Sequence, residues 1–220
     1  MTMPEDKTTT KKPKLSEADQ DQLIQDFITE TSQLIAIIKK EPGLLPELAR
    51  LAFDEAELTN GEDLALTAQN SFTERQEAIG TLDAKNAALE KADKLVNKRG
   101  TDFRDVVRLG FSDAAALRAL GVTGRLPEDR QKRITQLRAS FATAAKPPYA
   151  AEMTRRSYDT AELALATADV NALDTALTNR DAAARASVAA TAARNTDYKA
   201  LRAWRTSFNR AIKRARTRLT

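Results

Sequence analysis

The sequence predicts an all-α protein: an elongated helical bundle built from two tandem copies of one helical unit. Three observations carry this. Alanine and the other strong helix formers, Leu, Arg, Lys, Glu and Gln, dominate the chain. Glycine is held to 7 of 220 residues and aromatics to 5%. A gap-free shift that sets Pro42 on Pro147, 105 positions further on, then lays the second half of the chain on the first.

Under that shift Glu47 meets Glu152 and Arg50 meets Arg155. Phe53-Asp54-Glu55-Ala56-Glu57-Leu58 overlays Tyr158-Asp159-Thr160-Ala161-Glu162-Leu163, and Thr73-Glu74-Arg75 meets Thr178-Asn179-Arg180. Ala84, Ala87, Ala88, Lys94, Thr101 and Phe103 all find identical partners. Charged residues recurring at fixed spacing are not a product of alanine bias. Upstream of Pro42 the match loosens. The expected division is a basic tail at 1–15, a first helical repeat at 16–121 and a second at 122–220.

Each element has its own reason. Residues 1–15, with three successive threonines, two prolines and four lysines, read as a disordered tail. Ser16 is a natural N-cap, with Glu17 and Asp19 in the first turn behind it. The helix it opens aligns Leu23, Ile24, Phe27, Ile28, Leu34, Ile35 and Ile38 on one broad face and ends at Glu41-Pro42-Gly43. A second helix is expected from Pro46 to Leu58, with Thr59-Asn60-Gly61 as a turn. A long helix follows from Glu62 to about Leu109, with Gly80 and Gly100 as weak points. Ser112-Asp113 caps a short helix ending at Gly121, and Gly124 and Pro127 mark a break. The order then repeats, with a helix to about Ala145, Lys146-Pro147-Pro148, a helix from Tyr149, and a final helix from about Val170 to Arg216. In an antiparallel hairpin turning near Gly61, and again near Ala166, Glu47 would meet Arg75 and Glu152 would meet Arg180.

Composition excludes several function classes. Without cysteine there are no disulfides, thiol nucleophiles or thiolate metal sites. Without histidine there is no His-based triad and no ordinary zinc or facial iron site. No catalytic residue, metal or cofactor is expected, and the protein reads as no enzyme. No stretch approaches the roughly 20 apolar residues of a membrane-spanning helix, and residues 1–15 lack the apolar core of a secretory signal. The expected location is the cytoplasm.

Phe103-Arg104-Asp105-Val106-Val107-Arg108-Leu109, Leu117-Arg118-Ala119-Leu120-Gly121-Val122, and Ala193-Arg194 with Tyr198-Lys199-Ala200-Leu201-Arg202-Ala203-Trp204 and Phe208 resemble recurring segments of an uncharacterised group of bacterial proteins. These are Ala- and Arg-rich helical proteins of similar length. The resemblance covers most of the chain after residue 40. It implies a bacterial origin and a helical fold, and brings no activity.

The strongest candidate surface is the basic end. Lys199, Arg202, Arg205, Arg210, Lys213, Arg214, Arg216 and Arg218 face no acidic residue from 199 to 220. The whole chain carries +4, so the residues before Lys199 carry a net −4. Leu201, Trp204, Phe208, Ala211, Ala215 and Leu219 recur at helical spacing, which makes this helix amphipathic as well as basic. Arg202, Arg205, Arg210, Lys213, Arg214, Arg216 and Arg218 form a candidate partner or nucleic-acid surface. The alternative is a core-packed helix whose arginines are solvated or paired with acidic neighbours.

Other motifs read more simply. The carboxylate pairs Asp54/Glu57 and Asp159/Glu162 suggest surface ion pairs of Arg50 with Asp54 and Arg155 with Asp159. Trp204, Tyr198 and Phe208 read as core, and Gly121-Val122-Thr123-Gly124-Arg125 as a linker. Together these features point to a non-catalytic helical scaffold, a homo-oligomer acting on itself or another protein. A nucleic-acid-binding accessory protein using the basic helix is the alternative.

Overall fold

The computed structural model describes residues 16–219, and the tail expected at 1–15 lies outside them. The described residues form helices and turns, with no strand. In chain order the helices are α1 (Glu17–Ile38), α2 (Leu45–Ala49), α3 (Glu55–Gly110), α4 (Ala114–Ala119), α5 (Arg130–Ala144), α6 (Ala150–Arg155) and α7 (Thr160–Leu219).

Three local expectations need correction. The second helix is α2 alone and ends at Ala49, while Thr59-Asn60-Gly61 lies inside α3. The break falls at 50–54, where Ala52 takes a left-handed φ of 64°. Phe53 N–H donates to Leu48 O at 2.9 Å and Ala52 N–H to Ala49 O at 3.1 Å. That pair of bonds satisfies the last carbonyls of a helix and turns the chain out of its axis. Asp54 then caps α3 by accepting from Glu57 N–H at 3.0 Å. The next correction is that Asp54 is a cap and makes no ion pair with Arg50, which meets Glu47 at 2.6 Å. Asp159 likewise caps α7 through Glu162 N–H at 2.9 Å, and Arg155 meets Glu152 at 3.2 Å. Ser157 has a φ of 63°, and Tyr158 N–H donates to Met153 O at 2.9 Å. This helix end therefore has the same backbone form 105 residues further on.

Last, the expected hairpin contacts do not form. Glu47 meets Arg50 and Arg218, and Arg75 meets Glu17 and Asp21. Glu152 meets Arg155 and Arg156, and Arg180 meets Asp181 and Asn86. The reversal is made at α2, so the strand of chain facing α3 is α1.

Contacts group the residues into two compact units whose boundaries differ from 16–121 and 122–220. The first unit holds residues before Gln76 together with those from Ala190 on; the second holds Gln76–Ala189. α3 and α7 each supply residues to both.

In the first unit, α1 runs antiparallel to the start of α3. Arg75 meets Asp21 at 2.5 Å, Gln25 meets Gln69 at 2.8 Å, and Lys39 meets Glu62 at 2.7 Å. α1 runs parallel to the end of α7, with contacts at Asp21–Arg194, Glu30–Arg205 and Glu41–Arg216. Between them Ile35, Ile38, Leu48, Leu58, Phe208 and Ile212 form one apolar cluster, and Ile24, Ile28, Ala65, Ala68 and Leu201 another. Each fully buried Leu, Ile or Phe contributes about 1.5–3 kcal/mol by leaving water.

In the second unit, the end of α3 runs parallel to α5. Asp93 meets Arg133, and Phe103 packs edge-on against Phe141 at 5.0 Å. It runs antiparallel to the start of α7, where Arg99 meets Glu162, and meets Asp169 at 2.8 Å, while Asn86 accepts from Arg180 at 3.3 Å. Phe103, Phe141, Met153, Leu163, Val170 and Leu173 lie in its core. Arg104 holds the chain after α4 by donating to the carbonyls of Val122, at 3.1 Å, and Gly124. Its burial lowers its pKa, yet the guanidinium stays charged.

Candidate interaction surface

All seven basic candidates lie on α7 in the first unit. Which way each one points follows from the apolar stripe beneath them. Leu201, Trp204, Phe208, Ala211, Ile212 and Ala215 are buried, so neighbours a third of a turn away sit at the flank and those opposite face water.

Arg205 is at the flank and turns inward. It donates to Phe27 O at 3.1 Å and Thr31 Oγ1 at 3.0 Å, meets Glu30 at 3.2 Å, and sits 4.6 Å over the Phe27 ring. Arg216 and Arg218 make loose ion pairs with Glu41 at 3.6 Å and Glu47 at 3.7 Å. Arg202, Arg210, Lys213 and Arg214 are exposed, and none has an acidic partner among the described residues. The basic end is thus divided: Arg205 packs into the fold, Arg216 and Arg218 stay exposed in loose ion pairs, and four cations face outward without an acidic partner. Arg205 is thereby corrected from a surface residue to a packing one.

Arg210, Lys213, Arg214, Thr217 and Arg218 wall a shallow depression of about 460 Å³. Arg210 and Arg214 also border a smaller one, of about 240 Å³, floored by Leu51 and Phe53. Phe53 continues into a groove of about 530 Å³ lined by Lys39, Pro42, Leu45, Pro46 and Ala49. The result is an apolar trough with a cationic wall. Exposed charges of this kind act over about 8 Å at physiological ionic strength, which suits recognition of a complementary surface.

Leu51 and Phe53 were not singled out as surface residues. Nothing local in the sequence could have done so, because the wall they stand beside lies some 160 residues further along the chain. Of the aromatic residues read as core, Trp204 and Phe208 are buried and Tyr198 is half-buried against the core. Trp204 is buried and its Nε1 donates to Glu57 at 2.8 Å; Phe208 packs on Phe53 at 5.3 Å; Tyr198 meets Phe27 edge-on at 5.4 Å.

Elsewhere the polar chemistry is structural. The Arg99 pKa is raised, first by its hydrogen bond to Asp169, against a smaller desolvation effect. Burial pushes the Tyr158 phenol up to about 12. Among the described residues no group of three or more acidic side chains is placed to hold a metal, and no helix is long and apolar enough to cross a membrane. No protein-family model matches the chain, and no curated protein or solved structure matches it either.

Proposed function

We propose that this chain is a non-catalytic helical scaffold that works through protein–protein contacts, using the outer surface of its first unit. The observation that carries the reading is the division of the basic end. Three arginines are engaged by Glu30, Glu41 and Glu47, so acidic groups interrupt the cationic surface. Binding to a phosphate backbone scales with the number of phosphates that cations neutralise, so interleaved acids weaken it, whereas a protein surface accepts mixed charge beside apolar residues such as Leu51 and Phe53. The four outward cations favour the second reading, a nucleic-acid accessory protein.

Co-purification with the tagged protein tests the two. The scaffold reading expects a protein partner, or a second copy, that is lost with Arg210→Glu/Lys213→Glu/Arg214→Glu. Salt-sensitive binding of a DNA duplex, abolished by the same changes, would replace it with the nucleic-acid reading.

We infer further that the chain is a duplication. The support is the recurrence, 105 residues apart, of the left-handed residues Ala52 and Ser157, the caps Asp54 and Asp159, and the starts of α3 and α7. A homo-oligomer in a bacterial cytoplasm is the setting that fits the composition and the resemblance noted above.

A further inference from the structure

Resting on the scaffold reading, we propose that the outer faces of α1 and of the end of α7 are the two halves of a contact between copies of this chain. The acidic stripe of α1 in one copy seats on the basic stripe of α7 in another.

α1 carries Glu17, Asp19, Asp21, Asp26 and Glu30, and no Lys or Arg. Its inner acids are used within the unit: Glu17 and Asp21 meet Arg75, and Asp21 also meets Arg194. Glu30 also meets a cation of its own unit, Arg205, at 3.2 Å, whereas Asp19 and Asp26 meet none among the described residues. Asp19 bonds only the Ser16 cap and Asp26 only Gln22, both on its own helix. Between and beyond them stand Leu23 and Ile37, each 55% exposed. Positions 19, 23, 26, 30, 33 and 37 recur every three or four residues, so they make one stripe along the helix. Along this exposed stripe Glu30 pairs with Arg205, while Asp19, Leu23, Asp26 and Ile37 stay exposed without a partner from another helix of the unit.

The counterpart is on α7. Lys199, Arg202, Thr206, Arg210, Lys213 and Thr217 are exposed and recur at the same three-or-four spacing, with no acid from 199 onward. Each stripe runs over 18 residue-to-residue steps, about 27 Å at 1.5 Å per step. The two are therefore equal in length and opposite in charge. They belong to helices held in parallel register, as Asp21–Arg194, Glu30–Arg205 and Glu41–Arg216 establish. Every copy thus presents both halves of the contact. Complementary charge sets register and partner choice, and the exposed Leu23 and Ile37 supply apolar area to bury.

Sedimentation velocity on the full chain, over a concentration series at low and high salt, tests this. The wild type should associate, and more weakly at high salt. Asp19→Lys/Asp26→Lys and Arg210→Glu/Lys213→Glu should each weaken association about tenfold or more, with helical circular dichroism unchanged. An equimolar mixture of the two variants should recover a mixed assembly, since each then offers the stripe the other lacks. Association that is indifferent to both reversals would overturn this contact and leave the scaffold reading intact. A wild type monomeric at every concentration would also overturn it, and the co-purification experiment would then decide the scaffold reading separately.

Discussion

The first unit places Phe27 edge-on to Tyr198; on the proposed duplication, the corresponding positions of the second unit hold Arg133 against Asp93. The offsets are 106 residues on α1 and α5, where the link to the next helix is one residue shorter, and 105 on α3 and α7. The same contrast recurs. Trp204 donates to Glu57 and lies against Gly61, whereas Arg99 meets Glu162 and the position matching Gly61 is Ala166. Arg205 bonds Thr31, whereas Gly100 lies against Leu137. In each case one member changes size or charge and its neighbour changes with it. A backbone arrangement tolerates aromatic, ionic or aliphatic filling so long as the pair remains complementary. The constraint therefore acts on the pair, and neither residue carries it alone.

The sharpest way to break this comparison is at Asp93. Arg133 has a side chain only 6% exposed, and Asp93→Ala would leave it without its carboxylate at a cost of about 3 kcal/mol, read by urea denaturation. Moving the first unit's aromatic pair across, as Asp93→Tyr with Arg133→Phe, should recover most of that loss. A double variant no more stable than Asp93→Ala would show that the two positions are not equivalent.

Gly61 gives the next effect. A Cβ there would overlap the Trp204 indole, while one at Gly80 would meet nothing. Alanine is the better helix former by about 1 kcal/mol, so Gly80→Ala should stabilise by that amount. Gly61→Ala should instead destabilise by about 2 kcal/mol through overpacking. Combining it with Trp204→Arg, which copies the second unit, should cost less than the two single changes added together.

Tyr158 and Phe53 occupy matching positions, and only Tyr158 titrates. Burial raises its phenol from 10.0 to about 12, partly opposed by the Arg99 charge. The folded state therefore favours the neutral form. The contribution is complete below pH 10.0 and is lost as pH rises towards about 12, on the order of 1–2 kcal/mol. Tyr158→Phe should remove that alkaline slope from the urea midpoint measured against pH, and Phe53→Tyr should introduce one.

Smallest are Ala52→Gly and Ser157→Gly. Both positions hold a left-handed φ, 64° and 63°, which a side chain adopts at a cost. Each change should stabilise by about 0.5–1 kcal/mol, with equal gains in thermal melting. Unequal gains would separate two helix ends that share the same backbone bonds.

The elements with purely local causes were legible. Ser16 caps α1, accepting from Asp19 N–H, and of the expected Ser112-Asp113 cap it is Asp113 that accepts from Ala116 N–H and starts α4. Ile24, Ile28, Ile35 and Ile38 on α1, with Leu201 and Phe208 on α7, mark the buried faces as expected, whereas Leu23 and Leu219, read onto the same faces, are exposed. What failed was decided by distant residues. Thr59-Asn60-Gly61 has the composition of a turn, yet Leu58 is buried in a cluster that includes Phe208, and Gly61 seats Trp204. Tertiary packing there outweighs three weak helix formers. The candidate surface was legible as a charge run only. That Arg205 belongs to Phe27 and Thr31, while Arg210 faces outward, depends on a neighbour about 175 residues away.

That separation also dictates an order of events during synthesis. Residues 76–189 hold every contact of the second unit, so that unit can close while later residues are still within the ribosome. α1 emerges much earlier and pairs at once with the start of α3. It keeps one side open until Arg194, Arg205 and Arg216 arrive to meet Asp21, Glu30 and Glu41. Contacts between such remote residues form late. α1, the first of the described helices to leave the ribosome, is thus among the last to be fully covered. Ile24, Ile28 and Ile35 are the side chains a chaperone would find exposed in the interval.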